Sequence, residues 1–263
     1  IFRKQFNIGF EKWRLSHNIV GGTLLIGAFV HSFITSNTDL NAAAMKMLWI
    51  ITPAAGFLFY FHHKFIVPYR LTANPYIITD VKQETHDVWT LTMAPPQGQA
   101  RFDFKPGQFH FITLLRNRDL PEEEHHFTIS SSPTMSNALT SSIKESGDFT
   151  AAIGKTEPGD KVSVEGAYGR FSHLFHPRDS SFVFIAGGIG ITPIMSMLRH
   201  MRDRHSEAEA LLIYANHTEK DIVFREELDD MSADGHPRLN MVHVLDDPGE
   251  SWEGEKGFVD KSI

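Results

Sequence analysis

The chain has 263 residues, with 25 Lys and Arg against 32 Asp and Glu for a formal charge of −7, and no cysteine. The absence of cysteine excludes disulfides, thiol catalysis and Cys-ligated zinc or iron–sulfur centres within it, and the acidic balance argues against a nucleic-acid binder. Hydrophobic residues at 41% and charged residues at 22% exclude both a disordered chain and one wholly immersed in lipid.

The charge is unevenly spread: residues 1–70 carry +5 and residues 71–263 carry −12. The chain opens on Ile1, as a processed or truncated product would. Residues 19–34 and 42–61 are apolar runs, with Lys46 as the one charge in the second. Each approaches the ~20 residues that cross a hydrocarbon core. Gly21, Gly22, Gly27 and Pro53 suit membrane helices better than soluble ones. The runs predict a transmembrane hairpin over 1–70, linked through 36–41; a buried hairpin in a soluble protein is the alternative reading. Arg3, Lys4, Lys12 and Arg14 precede the first run, and Lys64 and Arg70 follow the second. By the positive-inside rule both outer ends, and all that follows, face the cytoplasm.

His17 and His31 are 14 residues apart in the first run. On a helix they share one face, roughly 40° apart in azimuth and about 21 Å apart along the axis. Imidazole is an axial ligand for haem iron, and two on one helix could serve two stacked haems. On spacing alone, an interfacial histidine plus one hydrogen-bonded to a neighbouring helix is the favoured explanation. The segment Glu11-Lys-Trp-Arg-Leu-Ser-His17, followed by His31, resembles the fifth membrane helix of the ferric reductase and NADPH oxidase superfamily. That resemblance implies haem b on His17 and His31, the opposite ligands coming from membrane helices upstream. His62 and His63 are adjacent and read as interfacial.

From residue 71 the pattern becomes short β-rich runs, at 76–81, 88–93, 108–115 and 127–130, separated by Pro95-Pro96, Lys105-Pro106-Gly107 and Pro158-Gly159-Asp160. That spacing predicts a small antiparallel barrel over 71–178. Three segments stand out: Phe104-Lys-Pro-Gly-Gln-Phe109, His125-His-Phe-Thr-Ile-Ser-Ser-Ser-Pro133, and Gly147-Asp-Phe-Thr-Ala-Ala-Ile153 at a helix start. Each alone is explained by an ordinary turn or cap. In this order they resemble the flavin domain of the ferredoxin–NADP⁺ reductase superfamily. The resemblance implies FAD, with Phe127 packed on the isoalloxazine, Thr128 at the reacting N5 edge as the catalytic contact, and His125 near the pyrophosphate. Ile129 and Ser130 continue that cofactor-binding segment, and Gly147 and Thr150 match the pyrophosphate turn. His126 stands where the family commonly has proline.

Residues 181–186 read as a buried strand, followed by Gly187-Gly-Ile-Gly-Ile-Thr-Pro193 and a helical run over 194–204. Strand, glycine turn and helix form the context in which a dinucleotide pyrophosphate is gripped. The form matches the same superfamily, implying NAD(P)H held by Gly187, Gly188, Gly190, Thr192 and Pro193. A strand over 211–215, a helix over 221–231 and a strand over 239–245 continue an α/β Rossmann-like domain over 179–263. His217 falls at the adenosine-ribose position, where neither an arginine nor a strand-end carboxylate fixes the choice between NADH and NADPH. Family members extend past residue 263, so this domain reads as incomplete.

The resemblance therefore implies a multidomain membrane oxidoreductase. Electrons would pass from NAD(P)H through FAD and haem to a small-molecule or metal-chelate acceptor, either a ferric chelate or O₂. Two rivals remain: a membrane-anchored flavin reductase without haem that feeds a cytosolic partner, and a non-catalytic nucleotide- or flavin-sensing module.

Overall fold

The computed structural model describes residues 10–35, 43–116 and 120–260. The link expected at 36–41 lies outside them. The chain divides into two compact units, Ile1–Tyr69 and Arg70–Ile263.

In the first unit the apolar runs are helices α1 (Phe10–Thr35) and α2 (Ala43–Phe61). A π-helical segment, His62–Ile66, joins α2 to α3 (Val67–Ala73), whose residues from Arg70 on belong to the second unit. One hydroxyl on each long helix bonds back to its own backbone: Thr23 Oγ1 donates to Ile19 O at 2.8 Å and Thr52 Oγ1 to Leu48 O at 2.7 Å. That satisfies each polar group without water or a neighbour. Their apolar side chains are uncovered; Leu25 is 74% and Phe59 70% exposed. Among the described residues one helical stretch, Met47–Ala73, is long and apolar enough to cross a membrane, and the apolar part of α1, Leu15–His31, is shorter.

The second unit opens on a six-stranded antiparallel sheet, β1 (Tyr76–Thr85), β2 (Val88–Ala94), β3 (Phe109–Leu115), β4 (Glu124–Thr128), β5 (Leu139–Lys144) and β6 (Lys161–Tyr168). The order is β4-β3-β6-β1-β2-β5. Its two ends meet just beyond β4, where the Ser130 N–H donates to Thr140 O at 2.8 Å. Alternation along β2 and β3 sends Leu91, Met93, Ile112 and Leu114 into one core with Ile78, Ile129, Leu139 and Ile143. The expected strand at 127–130 lies earlier, at β4, because Ile129 and Ser130 turn out of the ladder into the interior. The strand β5 has no counterpart in the sequence reading.

The α/β part holds four parallel strands in the order β10-β9-β8-β7: β7 (Ser181–Gly187), β8 (Glu209–Asn216), β9 (Arg238–Leu245) and β10 (Glu255–Lys256). Helix α4 (Thr192–Asp203) packs Ile194, Met195, Leu198 and Met201 on the sheet. Helix α5 (Arg225–Asp234) starts later than the expected 221, because residues 219–221 form a separate 3-10 turn capped by Thr218 and Asp221. Val88 of β2 is buried among these residues rather than in the barrel, which ties the two halves of this unit together.

Candidate functional site

On β4 the strand period puts His125 and Phe127 on one face and His126 on the other. The His125 ring stacks on Phe149 with centroids 4.2 Å apart, and Phe127 lies 6.4 Å from the same ring. All three planes are within 30° of parallel. Phe149 leads into the turn expected to grip a pyrophosphate. That turn is a 3-10 helix, Thr150–Lys155, rather than an α-helix. The Thr150 hydroxyl accepts from the backbone N–H groups of Ser146 at 2.8 Å and Gly147 at 2.9 Å, so it organises the turn from within.

Two residues absent from the sequence reading hold this turn. Arg116, buried at the end of β3, donates to Ala152 O at 2.8 Å and to Thr156 Oγ1 at 3.0 Å. Trp89 of β2 donates to Glu145 at 2.7 Å and lies flat against Gly154, where an added Cβ would stand 2.7 Å from the indole. Position 154 therefore takes only glycine. The signal for Trp89 was in the sequence as an aromatic within a strand, but its partner lies 65 residues further along the chain.

Thr128 closes β4. Its side chain makes no hydrogen bond among the described residues, while its carbonyl accepts from Ser141 Oγ at 3.1 Å. Ser141 in turn lies 2.7 Å from Nε2 of His110. Burial pushes the His110 imidazole down to about 3, so it is neutral. With the serine proton committed to Thr128 O, His110 Nε2–H is the donor. Ile129 and Ser130, expected among the cofactor contacts, are fully buried. Ile129 fills the barrel core, and the Ser130 hydroxyl bonds to Thr140 at 2.9 Å and Ser142 at 3.0 Å. Their side chains serve the fold.

The glycine segment leaves β7 as a 3-10 turn, Gly188–Ile191, that feeds directly into α4 with Pro193 in its first turn. Gly188 has φ +49°, a conformation glycine adopts without cost. A Cβ at Gly187, Gly188 or Gly190 would meet nothing within 4 Å, so the backbone here faces an open cradle. Tyr214 of β8 donates to Gly188 O at 3.1 Å and accepts from Val223 N–H at 3.3 Å; burial raises its phenol, keeping the donor protonated. Thr192 spends its hydroxyl on Ile189 O at 3.1 Å.

His217 is exposed just past β8. Its Nδ1 is 2.8 Å from Asp246 Oδ1 and its Nε2 is 3.8 Å from Asp247 Oδ2. The hydrogen bond to Asp246 and the charge of that carboxylate raise the imidazole above its ordinary value. Carboxylates do stand at this position, supplied by the end of β9 rather than of β8. The parallel register Asn216↔Leu245 brings them there.

Two groups of the second unit are joined across its halves by α4, through Ser196 and Arg199 to the carbonyls of Ser131 and Ser130. His86, Asp87 and Asp221 form the one cluster among the described residues spaced for a metal ion. Lys144 Nζ already sits 3.0 Å from Asp87, and the group reads as an ion-pair network. In the first unit, His17 and His31 are both on α1 and exposed, with Trp13 5.2 Å from His17, ring to ring.

Residues 73–172 match the FAD-binding domain, and residues 184–263 the oxidoreductase NAD-binding domain. The glycine betaine monooxygenase reductase subunit of Pseudomonas aeruginosa is 32% identical over 183 residues, covering 68% of this chain and 49% of that protein. NADH-cytochrome b5 reductase 1 of Dictyostelium discoideum is 32% identical over 122 residues, 46% of this chain and 42% of its own length. The chain thus spans about half the length of the curated relatives it matches. The flavohaem-like FAD/NAD-binding domain of nitric oxide dioxygenase from Vibrio cholerae has the same fold, with a TM-score of 0.63 at 18% identity over 72% of this chain and 80% of that one.

Proposed function

We propose, on the premise that this chain carries the FAD-binding and NAD-binding domains of the ferredoxin–NADP⁺ reductase family and is an NAD(P)H-dependent, FAD-containing oxidoreductase, that it is the electron-input half of a membrane flavocytochrome. The seats for both groups suit them. The near-parallel rings of His125, Phe127 and Phe149 offer an aromatic face, and Phe149 is itself part of the Gly147–Thr150 turn. The open backbone at Gly187, Gly188 and Gly190 suits a pyrophosphate. Bound FAD supplies the conversion from a two-electron donor to one-electron acceptors. The protein's part is placement. Phe127 and His125 hold the ring system and its phosphate side, Thr128 offers an uncommitted hydroxyl at the reacting edge, and Tyr214 keeps the glycine turn in shape.

The observation that carries the membrane half of this reading is the pair His17 and His31, one face of one uncovered apolar helix. Imidazoles at two depths would each hold one side of a haem b iron, and haem supplies single-electron relay. The FAD and nucleotide domains then lie on the cytoplasmic side, and a ferric chelate or O₂ takes the electrons. In full-length protein extracted from membranes, His17→Ala and His31→Ala should each remove one of two haems, read from the Soret absorbance against protein. Unchanged haem in both variants overturns it. A second reading is favoured by the 32% identity to a monooxygenase reductase subunit: a haem-free reductase, anchored by its helices, that feeds a separate protein. A wild-type protein with flavin absorbance and no Soret band decides for it.

A further inference from the structure

We propose that Arg199 is a positioning residue for hydride transfer, holding the flavin strand and the nucleotide turn in one register through helix α4. This rests on the reading that FAD sits on β4 and the nucleotide on the glycine turn. The transfer moves a hydride, two electrons with their proton, from the reduced nicotinamide to the oxidised flavin, and needs no further reactant.

The helix begins at Thr192, directly after the glycine turn, and runs as one rigid element of 12 residues. Four of its side chains bond into the other half of the unit: Asp203 accepts from the Thr134 hydroxyl, Met197 Sδ accepts from the His173 N–H, and two reach the tail of the flavin strand. The Ser196 hydroxyl donates to Ser131 O at 2.6 Å, and Arg199 Nη1 donates to Ser130 O at 2.7 Å. Those carbonyls follow Phe127 and Thr128 by two to four residues. The same short helix is therefore tied at its start to the nucleotide turn and at its middle to the tail of the flavin strand.

Arg199 has one pose. Its Nε and Nη2 donate to the two oxygens of Glu227 at 2.8 and 2.6 Å, and its plane lies over the Phe224 ring, 4.8 Å from the centroid. A bidentate carboxylate fixes the guanidinium plane, and the ring fixes its tilt. Burial pushes the Glu227 carboxyl up, but the hydrogen bonds and charge of Arg199, with the charges of Arg202 and Lys82, outweigh that and hold it below its ordinary value. Phe224 itself sits at φ +61°, unusual for a bulky residue, and its side chain is buried. With that pose fixed, Nη1 couples Glu227 and Phe224 of the nucleotide half to the carbonyl two residues past Thr128. Lysine keeps the charge but lacks the planar fork that grips both Glu227 oxygens while Nη1 meets Ser130 O.

The test uses full-length protein with FAD bound and compares wild type with Arg199→Leu, Arg199→Lys and Ser196→Ala. FAD content and half-saturating NADH should stay within about threefold. The saturating rate of flavin reduction in stopped flow should fall on the order of 100-fold in Arg199→Leu, the loss that a displacement of about 1 Å produces. Arg199→Lys should recover part of that rate. Ser196→Ala, which removes one hydroxyl and little volume, should slow it several-fold and weaken the nicotinamide–flavin charge-transfer absorbance. Rates and charge-transfer bands equal to wild type in Arg199→Leu and Ser196→Ala overturn the positioning role alone. A rate loss that only tracks loss of bound FAD does the same. Wild-type protein that takes up no FAD, or whose FAD neither NADH nor NADPH reduces, overturns the functional reading together with it.

Discussion

His217 stands between two carboxylates at the carboxyl ends of β8 and β9, the edge of a parallel sheet where dinucleotides lie. If the adenosine ribose rests there, Asp246 and Asp247 repel a 2′-phosphate, and NADH is the better donor. Asp246→Asn should improve NADPH use relative to NADH by roughly five- to tenfold, the cost of like charges a few ångströms apart in water-like surroundings. The pH dependence has a definite sign. The His217 pKa is raised, so at low pH its positive charge offsets one carboxylate, and that offset is lost as pH rises through the raised value. Steady-state kinetics should therefore show discrimination against NADPH growing with pH and then levelling, with the rise absent in His217→Ala. A flat ratio in the wild type removes His217 from nucleotide choice. Thr128 and Thr150 separate in a similar way. Thr150→Val leaves two backbone N–H groups without their acceptor and should weaken FAD uptake by about 1 kcal/mol per hydrogen bond, whereas Thr128→Val should leave uptake intact and slow reduction. Flavin titration beside stopped flow distinguishes them; equal behaviour of the two variants refutes the division of roles.

At the scale of elements, β5 shows what can be read from a sequence and what cannot. Strands β1, β2, β3 and β7 announce themselves through β-branched and aromatic runs between turn residues. The strand Leu139–Lys144 carries Thr140, Ser141 and Ser142 at positions that are all buried, so no alternation of polar and apolar marks it. The hydroxyls satisfy one another across the seam: Thr90 with Ser142 at 2.7 Å, and Ser130 with both Thr140 and Ser142. Such pairing depends on strands far apart in sequence, and a linear pattern does not contain it. The same is true of Arg116, Arg199 and Glu227, whose partners come from other elements, while His125, Phe127 and the glycine turn were visible as motifs. Ser142→Ala leaves Thr90 and Ser130 short of a partner in a buried network, and should cost about 1–3 kcal/mol in denaturant unfolding of the second unit. Val at the same site should cost no less, since it restores volume but no hydrogen bond. A change below about 0.5 kcal/mol, the level of an ordinary surface substitution, would mean that the seam is wetter than its burial indicates.

On the scale of the whole molecule, apolar surface is distributed in two ways. On α1 and α2 it is exposed all round the helices. On β7 it is one-sided: Phe184 and Ala186 point into the core, while Val183 is 65% and Ile185 63% exposed. Strand β7 is also the edge of its four-stranded sheet among the described residues, so unpaired backbone groups and a bare apolar face coincide. An edge of that kind templates association with a second chain. The residues assigned to FAD all lie before β7, on β4 and the 147–155 turn, and do not depend on this edge. A piece spanning residues 71–263 should therefore bind FAD and still self-associate. Replacing Val183 by Thr and Ile185 by Lys should shift it toward monomer in light scattering while the flavin absorbance stays unchanged, because neither side chain contributes to the core. If the double variant associates as strongly as the parent piece, the drive lies elsewhere than in β7. If it loses flavin, the two halves of the unit are coupled through this strand as well as through α4.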